Sequence, residues 1–280
     1  MSVSDFQKQQ ADIWNGQMGA NWVETHSLTD DMLSSTLVHL VQAVTSNSPQ
    51  RVLDIGCGNG ATTAAIAGAQ DGQGRSVGID LSRAMIANAT TLWSGLSDKV
   101  SFIADDAGTH DFGTERFDHF SSRFGTMFFA DQTAAFSHLR RFASDGASMY
   151  LITWRSPEEN SFLTTGPRVV ASVLGPQPPG TLEAPGPFAM SDPDSVRTML
   201  TGSGWVDTGF EALDLKFSFR ADDMDTFMTK LAPLGPAVAE ADEAKQARIF
   251  DLVRSEYRAS IEDGRLVYDA ACWAVTARAG

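Results

Sequence analysis

Three glycines in a tight bend and three carboxylates near it have the spacing to do chemistry. The run Val52-Leu53-Asp54-Ile55-Gly56-Cys57-Gly58-Asn59-Gly60-Ala61 carries an apolar strand into a loop. Gly56, Gly58 and Gly60 remove side chains there, so that a ligand can reach the backbone closely. The helix expected next turns its free N–H groups and positive dipole end toward that ligand, which suits a carboxylate as well as a phosphate. Asp80 ends the following strand-like run, 20 positions beyond Gly60, and Asp106 stands just past the third in Ala104-Asp105-Asp106-Ala107.

The loop alone is ambiguous. Gly56-x-Gly58-x-x-Ala61 also satisfies a dinucleotide fingerprint, and Asp80 could hold ribose hydroxyls in either cofactor class. Two acids separate the readings. Asp54 lies inside the opening strand, where a buried carboxylate costs several kcal/mol (roughly) unless it is paired or hydrogen-bonded. It suits a bound amino group or the loop's own amides and is out of place beside a pyrophosphate. Asp106 could accept from an adenine amino group while the Ala107 amide donates to a ring nitrogen; Asp105 is the alternative acid.

The elements that must position these groups alternate. Strand-like runs at Val52–Ile55, Ser76–Ile79, Val100–Ile103, Phe117–Ser121 and Met149–Trp154 are separated by helix-compatible stretches at Thr62–Ala69, Arg83–Leu92 and Thr133–Phe142. That rhythm predicts right-handed crossovers and a parallel sheet covered on both faces. Before it, Leu28 to Val44 has helical spacing, with Thr29 and Asp30 suited to its start and Ser46-Asn47-Ser48-Pro49 to its end. After Trp154 the pattern predicts a helix over Asn160–Leu174, a Pro/Gly-rich connection over Gly175–Pro187 and a helix over Asp192–Leu200. An alternating strand through Leu213–Phe219, helices at about Asp222–Leu231 and Ala237–Ile261, and a closing strand at Ala271–Ala277 complete the chain.

Composition narrows the partners. The chain has 280 residues, 42% of them hydrophobic, and a formal net charge of −14. A surface this acidic repels phosphate backbones and anionic lipid, which argues against bulk nucleic acid and membrane as partners. Two cysteines, Cys57 and Cys272, give no disulfide framework, and the polar first ten residues lack a signal peptide's apolar run. The cytoplasm is the default expectation, no metal site is read, and the oligomeric state stays open, a homodimer included.

These motifs carry a resemblance. Val52–Gly60 resembles the first motif of class I S-adenosylmethionine-dependent methyltransferases, Gly78-Ile79-Asp80-Leu81-Ser82 the second, and Asp106-Ala107 the third. The resemblance implies an α/β, Rossmann-like, seven-stranded mostly parallel sheet with an antiparallel last strand, helices on both faces, and helical cap insertions. It implies that Asp80 grips the ribose hydroxyls, that Leu81 and Met85 flank the adenine, and that Asp106 bonds its amino group. Trp14-Asn15-Gly16, Trp22, Thr109-His110, Ser122-Arg123-Phe124-Gly125 with Met127-Phe128-Phe129, Trp154-Arg155 and Pro185-Gly186-Pro187-Phe188 are similar to a bacterial subgroup related to ubiquinone/menaquinone-type enzymes.

The expected organisation is an N-terminal helical segment over the cofactor (1–48), a core that binds S-adenosylmethionine (49–156), a cap insertion (157–190) and a C-terminal part of the core with its own helical insertion (191–280). The expected cofactor contacts are Asp54, Gly56, Cys57, Gly58, Asn59, Gly60, Asp80, Leu81, Met85, Asp106, Ala107, Ser122 and Trp22. Cys57 and Asn59 also simply fit the loop, and Trp14 and Trp22 are either core anchors or a cover for the sulfonium. Arg123, Phe124, Met127, Phe128, Trp154 and Phe162 are the expected acceptor-side residues, although core packing explains an aromatic cluster equally well. Methyl transfer to a small-molecule acceptor needs alignment and exclusion of water more than a base. His26, His110 and His119 are the candidate bases: His26 is also a natural helix cap, and His110 a natural tie for its loop. A nicotinamide-dependent oxidoreductase and a non-catalytic donor-binding module are the competing readings. The Ser122-Arg123-Phe124 run departs from the Asn/Asp-Pro-Pro-aromatic motif of amino-type DNA methyltransferases.

Overall fold

Each apolar run flanked by glycine or polar turns becomes a strand, and the strands assemble into one sheet. The computed structural model describes residues 2–70, 72, 74–176, 186–232, 234 and 236–280. Four helices come first: α1 (Val3–Asn15), α2 (Gln17–Glu24), α3 (His26–Met32) and α4 (Ser34–Asn47). The alternating core follows as β1 (Arg51–Ile55), α5 (Ala61–Ala69), β2 (Arg75–Asp80), α6 (Arg83–Leu92), β3 (Val100–Ala104), β4 (Phe117–Arg123), α7 (Gln132–Arg140) and β5 (Ala143–Trp154). The remainder holds α8 (Ser161–Leu174), α9 (Pro193–Gly202), β6 (Trp205–Arg220), α10 (Met224–Thr226), a π-helical turn (Phe227–Leu231), α11 (Pro236–Ala239), α12 (Glu243–Arg258), β7 (Ile261–Glu262) and β8 (Arg265–Ala279).

The strand order is β3-β2-β1-β4-β5-β8-β6. β1 to β5 pair in parallel, and β8 runs antiparallel between β5 and β6. The order reverses between β1 and β4, which opens a crevice at their carboxyl ends, the place where sheets of this kind bind ligands. Asp54 faces α5, whose Thr63 hydroxyl donates to its Oδ2 at 2.6 Å, and α4 packs beside α5. Phe120, one residue out of phase with Ser121, faces the other side, where its ring meets Trp205 and the Trp205 indole N–H donates to the carbonyl of Phe136 on α7. Both faces of the sheet are therefore covered. The apolar core runs continuously from Leu28 to Ala279.

Several expectations need correction. The sheet gains an eighth strand, because the long helix expected over Ala237–Ile261 is two helices and a hairpin. Asp242 caps α12 by accepting from the Lys245 amide at 2.9 Å. Ile261 belongs to β7, joined to β8 through Asp263-Gly264, both at positive φ; an Asp-Gly pair is the residue choice that such a two-residue hairpin turn demands. The helix expected to begin at Thr29-Asp30 begins at His26 and breaks at Leu33, which is buried at the junction of α3 and α4. The stretch 2–25, to which no periodicity assigned an element, is α1 and α2. β4 extends through Ser122 and Arg123, placed by expectation in the following loop. Of the Pro/Gly-rich connection, 177–185, and with it Pro185, lies outside the described residues.

Among the described residues, the two helical insertions leave the sheet at its carboxyl edge. α8 follows β5, and α10 to α12 fill the gap between β6 and β8. They pack together: Arg168 pairs with Glu256, and the Tyr257 hydroxyl donates to the Phe162 carbonyl at 3.2 Å. No helix among the described residues is long and apolar enough to cross a membrane.

Candidate active site

The glycine bend is shaped by close approach. Gly56, Gly58 and Gly60 all take positive φ, a region that other L-residues enter only at a cost. Gly56 stacks against Gly125 after β4: a Cβ on Gly56 would stand 2.6 Å from the Gly125 Cα. The Ser122 hydroxyl locks the same junction, donating to the Ile55 carbonyl at 2.7 Å and accepting from the Gly125 amide at 3.2 Å. Over Gly58 lies Met85, whose sulfur would be 3.7 Å from an added Cβ.

The three acids stand at consecutive strand ends. Asp80 accepts from the Gly58 amide (2.9 Å) through Oδ2 and from the Ser82 amide (2.8 Å) through Oδ1, so that one carboxylate ties the first loop to the second. Each oxygen keeps a free lone pair for a ligand hydroxyl. Asp106 Oδ1 accepts from the Gly108 amide at 2.8 Å. The neighbouring Asp105 is exposed and engaged by His110 Nδ1 at 2.7 Å, which leaves Asp106 as the less encumbered acid of the two. Ala107 is buried beside it.

Asp54 is the unusual one. Its residue is 1% exposed, Thr63 serves one oxygen, and Oδ1 has no partner. Burial pushes its pKa up to about 7; the Thr63 hydrogen bond and the Arg123 charge pull the other way, while Asp80 adds to the rise. Cys57 is buried, and burial first, then the Asp80 and Asp54 charges, push its thiol well up, so that it is no nucleophile.

A helical cover lies over the loops. The Asn15 amide donates to the Leu81 carbonyl (3.1 Å) while its oxygen accepts from the Arg83 amide (3.1 Å), clamping α1 onto the β2–α6 turn. Asn59 reaches from the glycine bend to the Trp22 carbonyl (3.0 Å) and accepts from Asn88 (2.9 Å); the Trp93 indole donates to its backbone carbonyl at 2.9 Å. Trp14 meets Trp22 edge to face at 6.0 Å and Phe128 at 5.4 Å. Asn21 donates to the Lys230 carbonyl (3.1 Å), and Lys230 pairs with Glu24, joining the cover to the C-terminal insertion.

The acceptor-side expectations divide. Phe124 and Phe128 are half-buried at the edge of the crevice. Phe124 takes φ 63°, a strained value for an aromatic residue, and stacks flat on Trp154 at 4.2 Å. Met127, Trp154 and Phe162 are buried, with Phe162 stacked on Tyr268 at 4.5 Å, so they stand behind the crevice wall. Of the histidines, His26 Nδ1 lies 3.0 Å from the Val23 carbonyl. His110 is spent on Asp105, and its carbonyl is bonded by His138. His119 is buried in register with Val52, near the start of β1, and four residues before Arg123, about 13 Å from the carboxyl edge at ~3.3 Å per residue. Burial holds it neutral, its pKa down at about 4. Asn15, Thr63, Asn88 and Trp93 went unassigned from sequence. Thr63 had a signal: a hydroxyl in the first turn of the helix after the bend can turn back toward Asp54. Among the described residues no cluster of acids, histidines and cysteines could hold a metal.

Residues 52–146 match a family described as a methyltransferase domain. A probable tocopherol O-methyltransferase of the chloroplast from Oryza sativa subsp. japonica is 33% identical over 106 residues, 38% of this chain and 29% of that protein. The chain thus matches less than a third of that relative's length. Among solved structures, a putative methyltransferase from Bacillus halodurans C-125 superposes with a TM-score of 0.55 at 20% identity, covering 87% of this chain and 98% of that one. The YcgJ protein from Bacillus subtilis gives 0.56 at 15%, covering 86% and 97%. What is shared at these identities is the fold, a Rossmann-like sheet with one antiparallel strand.

Proposed function

We propose that this chain is an S-adenosylmethionine-dependent methyltransferase that acts on a small-molecule acceptor. The observation that carries the reading is the unpartnered Oδ1 of buried Asp54 beside a side-chain-free bend. A buried carboxyl with a spare acceptor is satisfied by a cationic donor, which favours its ionised form, and gains nothing from a pyrophosphate, so it favours a donor with an ammonium group over a nicotinamide dinucleotide. Residues 52–146, which match a methyltransferase domain, contain all three acids.

When bound, the donor supplies an electrophilic methyl group on a sulfonium. The chain's own residues bind and orient. Asp80 accepts from the ribose hydroxyls, Leu81 and Met85 flank the adenine, Asp106 accepts from its amino group, and the Ala107 amide donates to a ring nitrogen. The bend from Gly56 to Gly60 presents backbone N–H groups, and Ser122 holds the β4 turn in place. Trp14, Trp22 and Phe128 close the crevice against water. Phe124 and Phe128 offer apolar contact to the acceptor, with Trp154, Met127 and Phe162 as their backing. Positioning of this kind contributes roughly 7–11 kcal/mol in well-oriented systems; His119 is buried far from the carboxyl edge and His110 is bonded to Asp105, so neither serves as base in this reading.

The net charge of −14 and the Ser122-Arg123-Phe124 run favour a small molecule over nucleic acid, and two cysteines, too few for a disulfide framework, suit a reducing compartment such as the cytoplasm. The subgroup related to ubiquinone/menaquinone-type enzymes and the division of the chain into cover, core and two insertions belong to the same reading, which leaves the oligomeric state open, a homodimer included. Incubating the purified chain with methyl-labelled donor and a metabolite extract tests it. Label in a small molecule is the expected result; donor binding without any labelled product identifies a binding module instead.

A further inference from the structure

The Arg123 side chain is 12% exposed at the carboxyl end of β4. Among the described residues its guanidinium has no hydrogen-bond partner; its one ionic contact is Asp30 Oδ1 at 3.8 Å, beyond hydrogen-bonding reach. A guanidinium carries five donors, and leaving them unmade in a buried place is costly. Burial lowers the Arg123 pKa, while the charges of Asp30 and Asp54 push it back up, so the cation feels both acids.

Asp54 and Arg123 rise from the same face of the sheet. Asp54 pairs in register with Ser121, and Arg123 lies two residues further along the same strand, the spacing that returns a side chain to one face. Each has an unmet valence: Asp54 Oδ1 is a free acceptor, and the Arg123 fork is a set of free donors. A ligand with only an anionic group would leave Asp54 unpaired, and one with only a cationic group would leave Arg123 so. A zwitterion, with ammonium and carboxylate on one carbon, satisfies both.

We propose that Arg123 binds the α-carboxylate at the amino-acid end of the methyl donor while Asp54 takes its ammonium, Asp30 neutralising Arg123 until the ligand arrives. This rests on the donor reading above and moves Arg123 from the acceptor side of the crevice to the donor side. It also makes α3, which carries Asp30, sensitive to whether the donor is bound.

Calorimetry on the full chain tests it with two probes: S-adenosylhomocysteine, and its decarboxylated counterpart, which keeps the amine. The wild-type chain is expected to prefer the first by about 10- to 100-fold, the range for hydrogen bonds to a charged group. Arg123→Gln removes that preference, both probes binding at the level of the decarboxylated one. Arg123→Lys keeps part of it, because an ammonium retains the charge but not the planar fork, and it serves where the glutamine variant fails to fold. A preference left intact in either variant overturns the proposal, as would an equal loss for both probes, which marks a structural role alone. Failure of the wild-type chain to bind either probe overturns the donor reading itself and this assignment with it.

Discussion

Gly56 and Gly125 lie back to back: a Cβ on the first would fall 2.6 Å from the Gly125 Cα, and one on the second 2.7 Å from the Gly56 Cα. This contact joins the loop after β1 to the loop after β4, at the reversal in strand order that opens the crevice. The joint leaves no room for a methyl group on either side. Gly125→Ala should therefore lower stability by about 1–3 kcal/mol, the usual range for overpacking, and weaken binding of S-adenosylhomocysteine. Gly68→Ala is the contrast. Gly68 is exposed in α5 with nothing within 4 Å of an added Cβ, so that change should stabilise by about 0.5–1 kcal/mol. Thermal unfolding of both variants, with and without ligand, checks the pair.

Asp54 makes stability depend on pH in a direction opposite to most carboxylates. Its pKa is raised to about 7 in the folded chain from an ordinary 3.8. The folded state thus binds more protons than the unfolded state between those values, and stability falls as pH rises from about 4 to about 7. Asp54→Asn should remove that slope and leave the ligand-free chain more stable than wild type at pH 8. Denaturant unfolding across the range measures it.

His119 contributes the opposite slope. Burial lowers its pKa to about 4 from 6.5, so the unfolded state binds the extra proton and stability falls as pH drops from about 6.5 toward 4. His119→Gln should flatten this contribution and, because His119 lies far from the crevice, leave methyl transfer near the wild-type rate. A large loss of rate with unchanged stability would place His119 in the chemistry after all.

The Asn15 clamp should hold the N-terminal cover. Asn15→Ala removes contacts to both Leu81 and Arg83, worth about 1 kcal/mol each. Hydrogen exchange should quicken across residues 3–24 while β1, β4 and β5 stay protected, and the affinity for S-adenosylhomocysteine should drop.

The sequence carried the core of this molecule clearly and its margins poorly, for physical reasons. β1 to β3 are short apolar runs closed by glycine or acid, so strand, bend and carboxylate were legible together. The placement of Asp80 at the end of β2 and of Asp106 just beyond β3 was legible because a strand end is a fixed point in a parallel sheet. The cover was not legible as elements: α1 is a largely polar helix with Gln10 its one buried residue, and it owes its place to contacts with a loop some 66 positions away. The Asp263-Gly264 pair carries the residue signal of a hairpin turn, but the expected helix ran up to Ile261 and the pair went unread. Arg123 was visible as a charge in an aromatic run. Its burial beside Asp30, on the face that carries Asp54, however, depends on which face of β4 it occupies, and that is fixed only by register with β1.

Titrating the folded chain with S-adenosylhomocysteine and, in parallel, with a nicotinamide dinucleotide shows which cofactor class the bend and its acids accept. One saturable site for the first and no heat from the second is the predicted result. Binding of the dinucleotide without the nucleoside would contradict it.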